Sequence, residues 1–365
     1  MCNAFTRQGI EVTLYMEGGD DFFERVKDLE ENAFKEKFLF KVYSWKKILN
    51  NRLLNRFLIR NRIKKIVKLE QPDVVFTRES AFLRPILKTN TPVIFESHNI
   101  KQHTRYLLVS KYLEREIIRA SKNSHFICLF SISEALSNRW KELGIEPKKL
   151  FSWHDGFDKS LFLKPLTKKE ARENLKLSLH KTIVSYTGGL YYDREIETII
   201  KLAGCFPDVF FLVIGGPEEN RLHFQSLSRK KEIHNIEFTG LIRHNDIPAY
   251  LYASDVLLAL WSKKVPTINF CSPLKLFEYM ASGTLILAHA FPTIKEVLVD
   301  NEDAILCQPG DFDSVKEKLE EAILKYKDCN FGENARIKAF NQYTWDMRAG
   351  KMLEFLNDLP DLQLQ

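Results

Sequence analysis

The sequence lacks several features that assign a protein to a class at once. None of its apolar runs approaches the roughly 18 to 20 residues that span a bilayer. Its first residues lack the basic start and apolar stretch of a signal peptide. The six cysteines form no CxxC pair, which argues against a zinc site or a disulfide framework and indicates thiols in a reducing compartment. We therefore expect a cytoplasmic protein.

Two nucleotide- and metal-binding motifs are also missing. No G-x-G-x-x-G follows a predicted strand, which disfavours a dinucleotide-dependent oxidoreductase. No D-x-D motif stands at the end of a predicted strand, so nothing in the sequence calls for a metal ion. We predict neither a resident cofactor nor a metal.

The pattern of apolar residues predicts an α/β protein. Apolar residues make up 45% of the 365 residues, and this length suits two domains of roughly 150 to 200 residues. Short apolar runs alternate with helical periodicity along the whole chain, which is typical of doubly wound parallel sheets. The predicted strands are Ile10–Met16, Asp73–Thr77, Pro92–Glu96, His125–Phe130, Thr182–Tyr186, Val209–Ile214, Ile236–Thr239, Val256–Leu260 and Leu285–Ala288. The predicted helices are Leu49–Leu69, one that begins after Ser133 as its N-cap, Arg194–Ala203, Asp246–Ala253, Pro273–Ala281, Val315–Lys325 and the last segment, Asn334–Leu356.

The domain limits follow from this alternation. A glycine turn followed by Pro165 places the linker within Trp153–Lys164. We predict one domain over residues 1–160, a second over 161–340, and a C-terminal helix over 341–365 that packs back on the first. Met1–Gln8 resembles the end of a helix, with Gly9 as its cap, so the first domain is expected to lack its opening strand and glycine loop.

The positive charge is concentrated in one block. The net charge is +6, and residues 37–68 contain eleven Lys or Arg and no Asp or Glu. Such a block favours an anionic membrane surface or an acidic acceptor. Its apolar residues are not confined to one helical face, so an ordinary solvated helix remains an equal alternative. Few aromatic residues are interleaved, which disfavours nucleic acid.

The segment Cys271–Gly283 has the parts of a diphosphate site. Ser272 is the predicted N-cap of a helix, and Pro273 suits its first position. The open N–H groups of the first turn and the helix dipole would attract an anion. Lys275 lies in that turn, and Glu278 lies about 9 Å along the axis from the cap, within reach of a ribose. On spacing alone, an ordinary capped amphipathic helix with an incidental Glu is the favoured explanation of the segment.

SPLKLFEYMASG and the following TLILAHAFPTIKEVL resemble the donor-site signature of the group 1 family of retaining glycosyltransferases, glycosyltransferase family 4 with the GT-B fold. Four further segments also resemble that family: YTGGLYYDREIETII, FFLVIGGPEE, FTGLIRHNDIPAYLYASDVLLAL and YTW. Three segments of the N-terminal half do so more loosely: PVIFESHN, SISEAL and HDGFD. The resemblance covers roughly residues 70–350. It implies two Rossmann-like doubly wound domains that face an interdomain cleft.

The resemblance also implies roles for individual residues. Glu278 matches the glutamate that binds the donor ribose, and Arg194 stands where the family has a lysine that neutralises the diphosphate. His98 matches a histidine that contacts the transferred sugar. These three are the predicted catalytic residues. The predicted donor-binding residues are Gly188, Gly189, Gly215, Gly216, Ser272, Pro273, Leu274, Lys275 and Glu278. Without the resemblance, His98 would be explained as a hydrogen-bonded histidine at a strand end, and Arg194 as a residue on a helix surface.

Two positions depart from the family pattern. Gly189 replaces a cation that the family usually has after its glycine turn. Phe270 replaces a second glutamate, which would bind sugar hydroxyls, so recognition of the sugar must differ here.

The resemblance therefore predicts a glycosyltransferase. It would move a sugar from a nucleotide-sugar donor to a glycan or lipid-linked acceptor, with retention of configuration, in polysaccharide or cell-envelope glycan synthesis. The expected location is cytoplasmic, with peripheral contact to the inner face of the membrane. The alternatives are a non-catalytic binder of nucleotide sugars or other anionic ligands and a nucleotide-sugar epimerase of similar fold.

Overall fold

A computed structural model describes residues 1–18, 22–28, 30, 38–45, 58–100, 107–191 and 194–359. The chain forms two compact units. Unit 1 comprises Met1–Asp155, Asn269–Ser272 and Arg348–Gln365, and unit 2 comprises Gly156–Ile268 and Pro273–Met347. Both units contain parallel sheets and helices, so the predicted α/β class is confirmed.

Unit 1 contains two parallel sheets among its described residues. Strands β3, β4, β5 and β6 form one sheet in sequential order, and β1 pairs with β2 in the other. The central strands β4 and β5 are almost wholly buried, which explains their continuous apolar sequences. The strands are β1 (Thr13–Glu17), β2 (Lys41–Trp45), β3 (Val75–Thr77), β4 (Val93–Ser97), β5 (Phe126–Ser131) and β6 (Leu150–Ser152).

The helices of unit 1 connect these strands. Their apolar faces pack on the larger sheet in a core that includes Phe95, Ile117 and Trp140. Ser133 caps its helix as predicted, because its hydroxyl accepts a hydrogen bond from Leu136 N at 3.2 Å. The helices are α1 (Cys2–Arg7), α2 (Phe22–Asp28), α3 (Arg60–Glu70), α4 (Ser80–Leu87), α5 (Leu107–Ser121) and α6 (Glu134–Glu142).

Unit 2 contains a six-stranded parallel sheet in the order β12-β11-β10-β7-β8-β9. The chain runs outward from β7 to β9, returns to β10 beside β7, and then runs outward the other way. The order therefore reverses between β7 and β10, and in such sheets the crevice at the carboxyl ends of these strands is the usual ligand site. The strands are β7 (Ile183–Thr187), β8 (Phe210–Ile214), β9 (Ile236–Gly240), β10 (Val256–Ala259), β11 (Leu285–His289) and β12 (Ile305–Cys307).

The helices of unit 2 pack on its sheet around a buried core that contains Tyr186, Phe211 and Leu258. They are α7 (Lys168–Asn174), α8 (Ile196–Cys205), α9 (Glu218–Lys230), α10 (Ile247–Ala253), α11 (Leu274–Ser282), α12 (Pro292–Lys295), α13 (Phe312–Lys325) and α14 (Phe331–Gln342). A last helix, α15 (Trp345–Asn357), begins in unit 2, and its residues from Arg348 onward belong to unit 1.

Most predicted elements lie within a few residues of the observed ones, and two predictions need correction. Asn334–Leu356 is two helices, because Tyr343 O and Trp345 N bond to the backbone of Phe157, at 2.9 and 3.2 Å, and interrupt the helix at Thr344. The helix predicted from Arg194 begins at Ile196. The helix predicted over Leu49–Leu69 is observed as α3, and residues 46–57 lie outside the described part of the chain.

A buried ion pair fixes the first helix of unit 2 to the sheet. Arg172 on α7 lies 2.6 Å from Asp255, which directly precedes β10, and both side chains are buried. Asp255 also accepts from Ile183 N at 2.8 Å and pairs with Lys168 at 2.6 Å. Removal of the carboxylate would leave a guanidinium buried without a counter-ion.

We therefore expect Asp255→Ala to lower the free energy of unfolding by about 3 to 5 kcal/mol. Glu173→Ala is the matched control on the same helix, because Glu173 forms only an exposed pair with Lys169, and it should cost less than about 1 kcal/mol. Urea unfolding followed by circular dichroism measures both. An equal effect of the two substitutions would contradict the proposed anchor.

Candidate functional site

The candidate site of unit 2 lies at the carboxyl ends of β7 and β10, where the strand order reverses. Helix α11 is fixed at this edge, because Thr187 N at the end of β7 donates to the Tyr279 hydroxyl at 2.7 Å. Tyr279 is fully buried. The side chains one and two turns along α11 therefore have defined positions relative to the strand ends.

Two glycine turns follow β7 and β8 at the same edge. Gly188 and Gly215 have φ angles of +136° and +108°, which side chains rarely adopt. A Cβ atom on Gly215 would lie 2.6 Å from Gly188 O, and one on Gly216 would collide with Leu190. Close packing of the two turns thus requires glycine at both of these positions.

These turns differ in the N–H groups that they leave open. Gly188 N donates to Ile214 O and Gly215 N to Gly240 O, each at 2.9 Å. Within the described residues, the N–H groups of Gly189 and Gly216 have no such partner. All four glycines were predicted to bind the nucleotide-sugar donor. Of these, only Gly189 and Gly216 therefore have a backbone N–H group that is open to a ligand.

The start of α11 differs from the prediction. The helix begins at Leu274, its N-cap is Pro273, and no side chain caps it. Ser272 is not the cap, because its hydroxyl accepts from Asp155 N at 2.8 Å and lies 3.3 Å from His154 Nδ1, both within unit 1. Leu276 N donates to Pro273 O at 2.9 Å, and among the described residues the N–H groups of Leu274 and Lys275 have no partner. These two open groups suit an anion better than the predicted cap does.

Lys275 places a cation in this first turn. Its Nζ lies 3.9 Å from the centre of the Tyr186 ring and 4.7 Å from that of Trp261, and 3.4 Å from Thr187 O. No carboxylate of the described residues lies within ion-pair distance of it. Burial, and then the nearby charge of Arg194, lower the pKa of Lys275 well below its usual value. An anion at this position would relieve both effects.

Glu278 lies one turn further along α11. Its side chain is 16% exposed, and its Oε1 lies 2.7 Å from Nε2 of His244. His244 begins a short 3-10 helix, His244–Asp246, just after β9. The hydrogen bond that His244 donates to Glu278 raises the pKa of His244, against the effect of burial. Sequence reasoning did not include His244; its position after a strand at the ligand edge was the available signal.

His98 lies in unit 1, directly after β4. Its Nε2 is 3.0 Å from Oε2 of Glu96, a fully buried carboxylate that also contacts Arg78 and lies 2.6 Å from Arg348 Nη2. Burial raises the pKa of Glu96, but the hydrogen bond from His98 and the charges of Arg348 and Arg78 outweigh it, so the pKa falls below its usual value.

The predicted site residues thus fall into two groups. One group belongs to unit 2 and lies around or next to the carboxyl edge of its sheet. Its members are Gly188, Gly189, Arg194, Gly215, Gly216, Pro273, Leu274, Lys275 and Glu278. His98 and Ser272 belong to unit 1. Phe270 packs in the core of unit 1. In the described part of the chain, no three His, Cys, Asp or Glu side chains group as metal ligands, and no helix is both long and apolar enough to cross a membrane.

Two family models match consecutive parts of the chain. The model described as glycosyltransferase family 4 matches residues 1–161, and the model described as glycosyl transferases group 1 matches residues 167–338. Comparison with curated proteins gives no match.

Solved structures show the same fold. Sucrose-phosphate synthase from Thermosynechococcus elongatus has a TM-score of 0.75 at 16% identity, over 98% of this chain and 90% of that one. Anabaena HepE in complex with UDP-glucose has a TM-score of 0.71 at 14% identity, over 96% and 100%. WaaG, a glycosyltransferase involved in lipopolysaccharide biosynthesis, has a TM-score of 0.69 at 14% identity, over 98% and 94%.

These matches define the class of the protein as the GT-B glycosyltransferases. The chain belongs to the group 1 glycosyltransferases, with a family 4 N-terminal part. The resemblance seen in the sequence is thereby confirmed.

The contact between His244 and Glu278 gives a prediction that does not depend on activity. Since the hydrogen bond raises the pKa of His244, the ion pair stabilises the fold fully below a pH of about 6.5. This contribution is lost as the pH rises through the higher pKa of the folded state. Glu278→Gln should therefore lower the midpoint of the His244 titration towards about 6.5.

The measurement is the proton NMR titration of the His244 ring, assigned with His244→Gln. Asp246→Asn is the control, because Asp246 lies in the same short helix but pairs with Arg243 at 2.9 Å. A midpoint that stays unchanged in Glu278→Gln would show that the contact is absent in solution.

Proposed function

We propose that this glycosyltransferase moves a hexose from a nucleotide-sugar donor to a glycan or lipid-linked acceptor with retention of configuration. The observation that carries the donor assignment is Lys275, a half-buried ammonium at the switch point of unit 2 with no carboxylate among its described neighbours. The structural neighbour HepE was solved in complex with UDP-glucose, which supports a nucleotide-sugar donor.

The leaving group fits this edge of the sheet. When the bond between the sugar C1 and the phosphate oxygen breaks, the oxygen keeps the electron pair and the diphosphate gains charge. Lys275, Arg194 and the open start of α11 stabilise that charge, and they do so more strongly as it grows. The N–H groups of Gly189 and Gly216 contribute further donors. Catalysis in this proposal rests on the leaving group and requires no metal.

Glu278 binds the ribose in this proposal. His244 holds one carboxylate oxygen, Oε1, at 2.7 Å. This contact fixes the carboxylate and leaves Oε2 to accept hydrogen bonds from two ribose hydroxyls. His244 is thus a positioning residue for Glu278.

The acceptor belongs to unit 1 in this proposal. His98 contacts the transferred sugar, and the acceptor hydroxyl forms the new bond to C1 as its proton passes to the departing phosphate oxygen. The structural neighbour WaaG is a glycosyltransferase involved in lipopolysaccharide biosynthesis, which supports a role in cell-envelope glycan or polysaccharide synthesis. We further propose a cytoplasmic location with peripheral membrane contact through the basic block 37–68, of which residues 37 and 46–57 lie outside the described part.

Lys275→Met should weaken the binding of UDP about 10- to 100-fold, because a charge-assisted contact to phosphate is lost while the side chain still fills the space beside the two rings. Lys230→Met is the control, since Lys230 is exposed at the end of α9. Isothermal titration calorimetry measures both. The assignment fails if UDP binds the Lys275 variant as tightly as the original chain.

Glu278→Gln should lower kcat/KM with the preferred nucleotide sugar about 10- to 100-fold, because the ribose hydroxyls lose a charged acceptor. Glu237→Gln is the control, since Glu237 is exposed on β9 of the same unit. A thermal-shift screen of nucleotide sugars first identifies the donor. Donor binding without turnover on any acceptor would instead favour a non-catalytic nucleotide-sugar binder.

A further inference from the structure

A polar cluster in unit 1 consists of Arg78, Glu96, His98 and Arg348. It contains N–H groups that the proposed nucleotide-sugar site of unit 2 does not use. Arg78 directly follows β3, and His98 directly follows β4. These strands are parallel neighbours, with Thr77 opposite Phe95. Both side chains therefore leave the sheet at its carboxyl edge, on adjacent strands.

One buried carboxylate connects these side chains. Glu96 Oε2 accepts from Arg78 Nε and lies 3.0 Å from His98 Nε2. Its other oxygen, Oε1, lies 2.6 Å from Arg348 Nη2. Glu96 thus contacts two arginines and a histidine, through two hydrogen bonds at Oε2 and an ion pair at Oε1.

The outer parts of Arg78 and His98 remain open. The Arg78 side chain is 53% exposed and that of His98 is 36% exposed. Arg78 uses Nε for Glu96, and its two terminal nitrogens have no partner in the described part of the chain. Nδ1 of His98 likewise has none there. A guanidinium fixed through Nε presents its terminal N–H groups as a rigid fork that matches phosphate or carboxylate oxygens.

The nearby acidic groups do not pair with the terminal nitrogens of Arg78. Asp155 is buried and 3.7 Å from Arg348, and burial raises its pKa. The Glu79 carboxylate accepts from Ala81 N at the start of α4. The cluster therefore presents the Arg78 guanidinium to solvent with no carboxylate of the described residues beside its terminal nitrogens.

Both partners of the pair between Glu96 and Arg348 are wholly inaccessible to solvent. Arg78 differs from Arg348 because it uses only Nε for Glu96 and keeps much of its guanidinium at the surface. A half-exposed arginine held in place by a buried carboxylate is better explained by a ligand than by folding.

We propose that Arg78 and His98 form a subsite for an anionic oxygen group, a phosphate or a carboxylate, on the acceptor of this transferase. This inference rests on the proposed function, because it assumes that the chain binds a sugar acceptor. It deepens that proposal by assigning the acceptor a negative charge. Glu96 is the positioning residue of the subsite, since it fixes Nε of Arg78 and Nε2 of His98.

The experiment titrates the full chain with glycerol 3-phosphate, glucuronate and uncharged glycerol. The ring signals of His98, assigned with His98→Gln, report binding by NMR. We expect saturable shifts with at least one of the two anions and none with glycerol. Arg78→Gln should weaken that binding about tenfold. Arg139→Gln, an exposed arginine of unit 1 paired with Glu142, should leave it unchanged.

Two outcomes would overturn the subsite. One is the absence of saturable binding for both anions, and the other is binding of an anion to the Arg78→Gln chain as tight as to the original chain. Arg78→Lys keeps the charge without the fork and serves as a second variant should Arg78→Gln not fold. It should bind more weakly than the original chain, and undiminished binding would count against a bidentate contact.

A parallel titration with UDP separates this inference from the proposed function. If UDP fails to bind while the anion still shifts His98, the donor assignment fails and the subsite stands. The anion titration should also survive in Lys275→Met, whose missing charge lies in unit 2. An equal loss of UDP affinity in Arg78→Gln would assign Arg78 to the donor diphosphate and overturn the acceptor subsite.

Discussion

The half-buried ammonium of Lys275 is the constraint on which the candidate site depends. Burial disfavours the charged form, and the adjacent Arg194 adds repulsion, so the pKa is lowered. Two aromatic faces and one carbonyl oxygen offset only part of this cost. Among the described residues the fold provides no carboxylate as a counter-ion for Lys275, and a diphosphate has the required charge.

The topology of unit 2 explains why this cation lies where it does. Strands β7 and β10 are neighbours, but the chain leaves them in opposite directions, so no connection covers their carboxyl ends. The glycine turns after β7 and β8 pack tightly enough to keep side chains out of the crevice. Tyr279 then fixes α11 to the end of β7. Fold and site are therefore consequences of one strand order.

Local patterns in the sequence predicted much of this, and long-range contacts account for the rest. The buried strands, the α11 segment and the Ser133 cap follow from apolar runs and residue preferences over a few positions. The Ser272 cap failed because the hydroxyl bonds to Asp155 N, 117 residues away in sequence. The last helix was predicted unbroken because the pairing of its backbone with Phe157 has no local signature. His244 was missed for the same reason, since its partner Glu278 lies 34 residues away.

The two units treat buried charge in different ways. Unit 1 supplies its own carboxylate, Glu96, and one partner of that carboxylate, Arg348, is wholly buried. Unit 2 supplies a carboxylate for Arg172, which anchors a helix, but none for Lys275 within its described residues. A fold that pairs the buried Arg172 and gives Lys275 no carboxylate among its described residues separates stability from binding. This separation is why Lys275 supports a donor site more strongly than the glycines do, since close packing already explains Gly215 and Gly216.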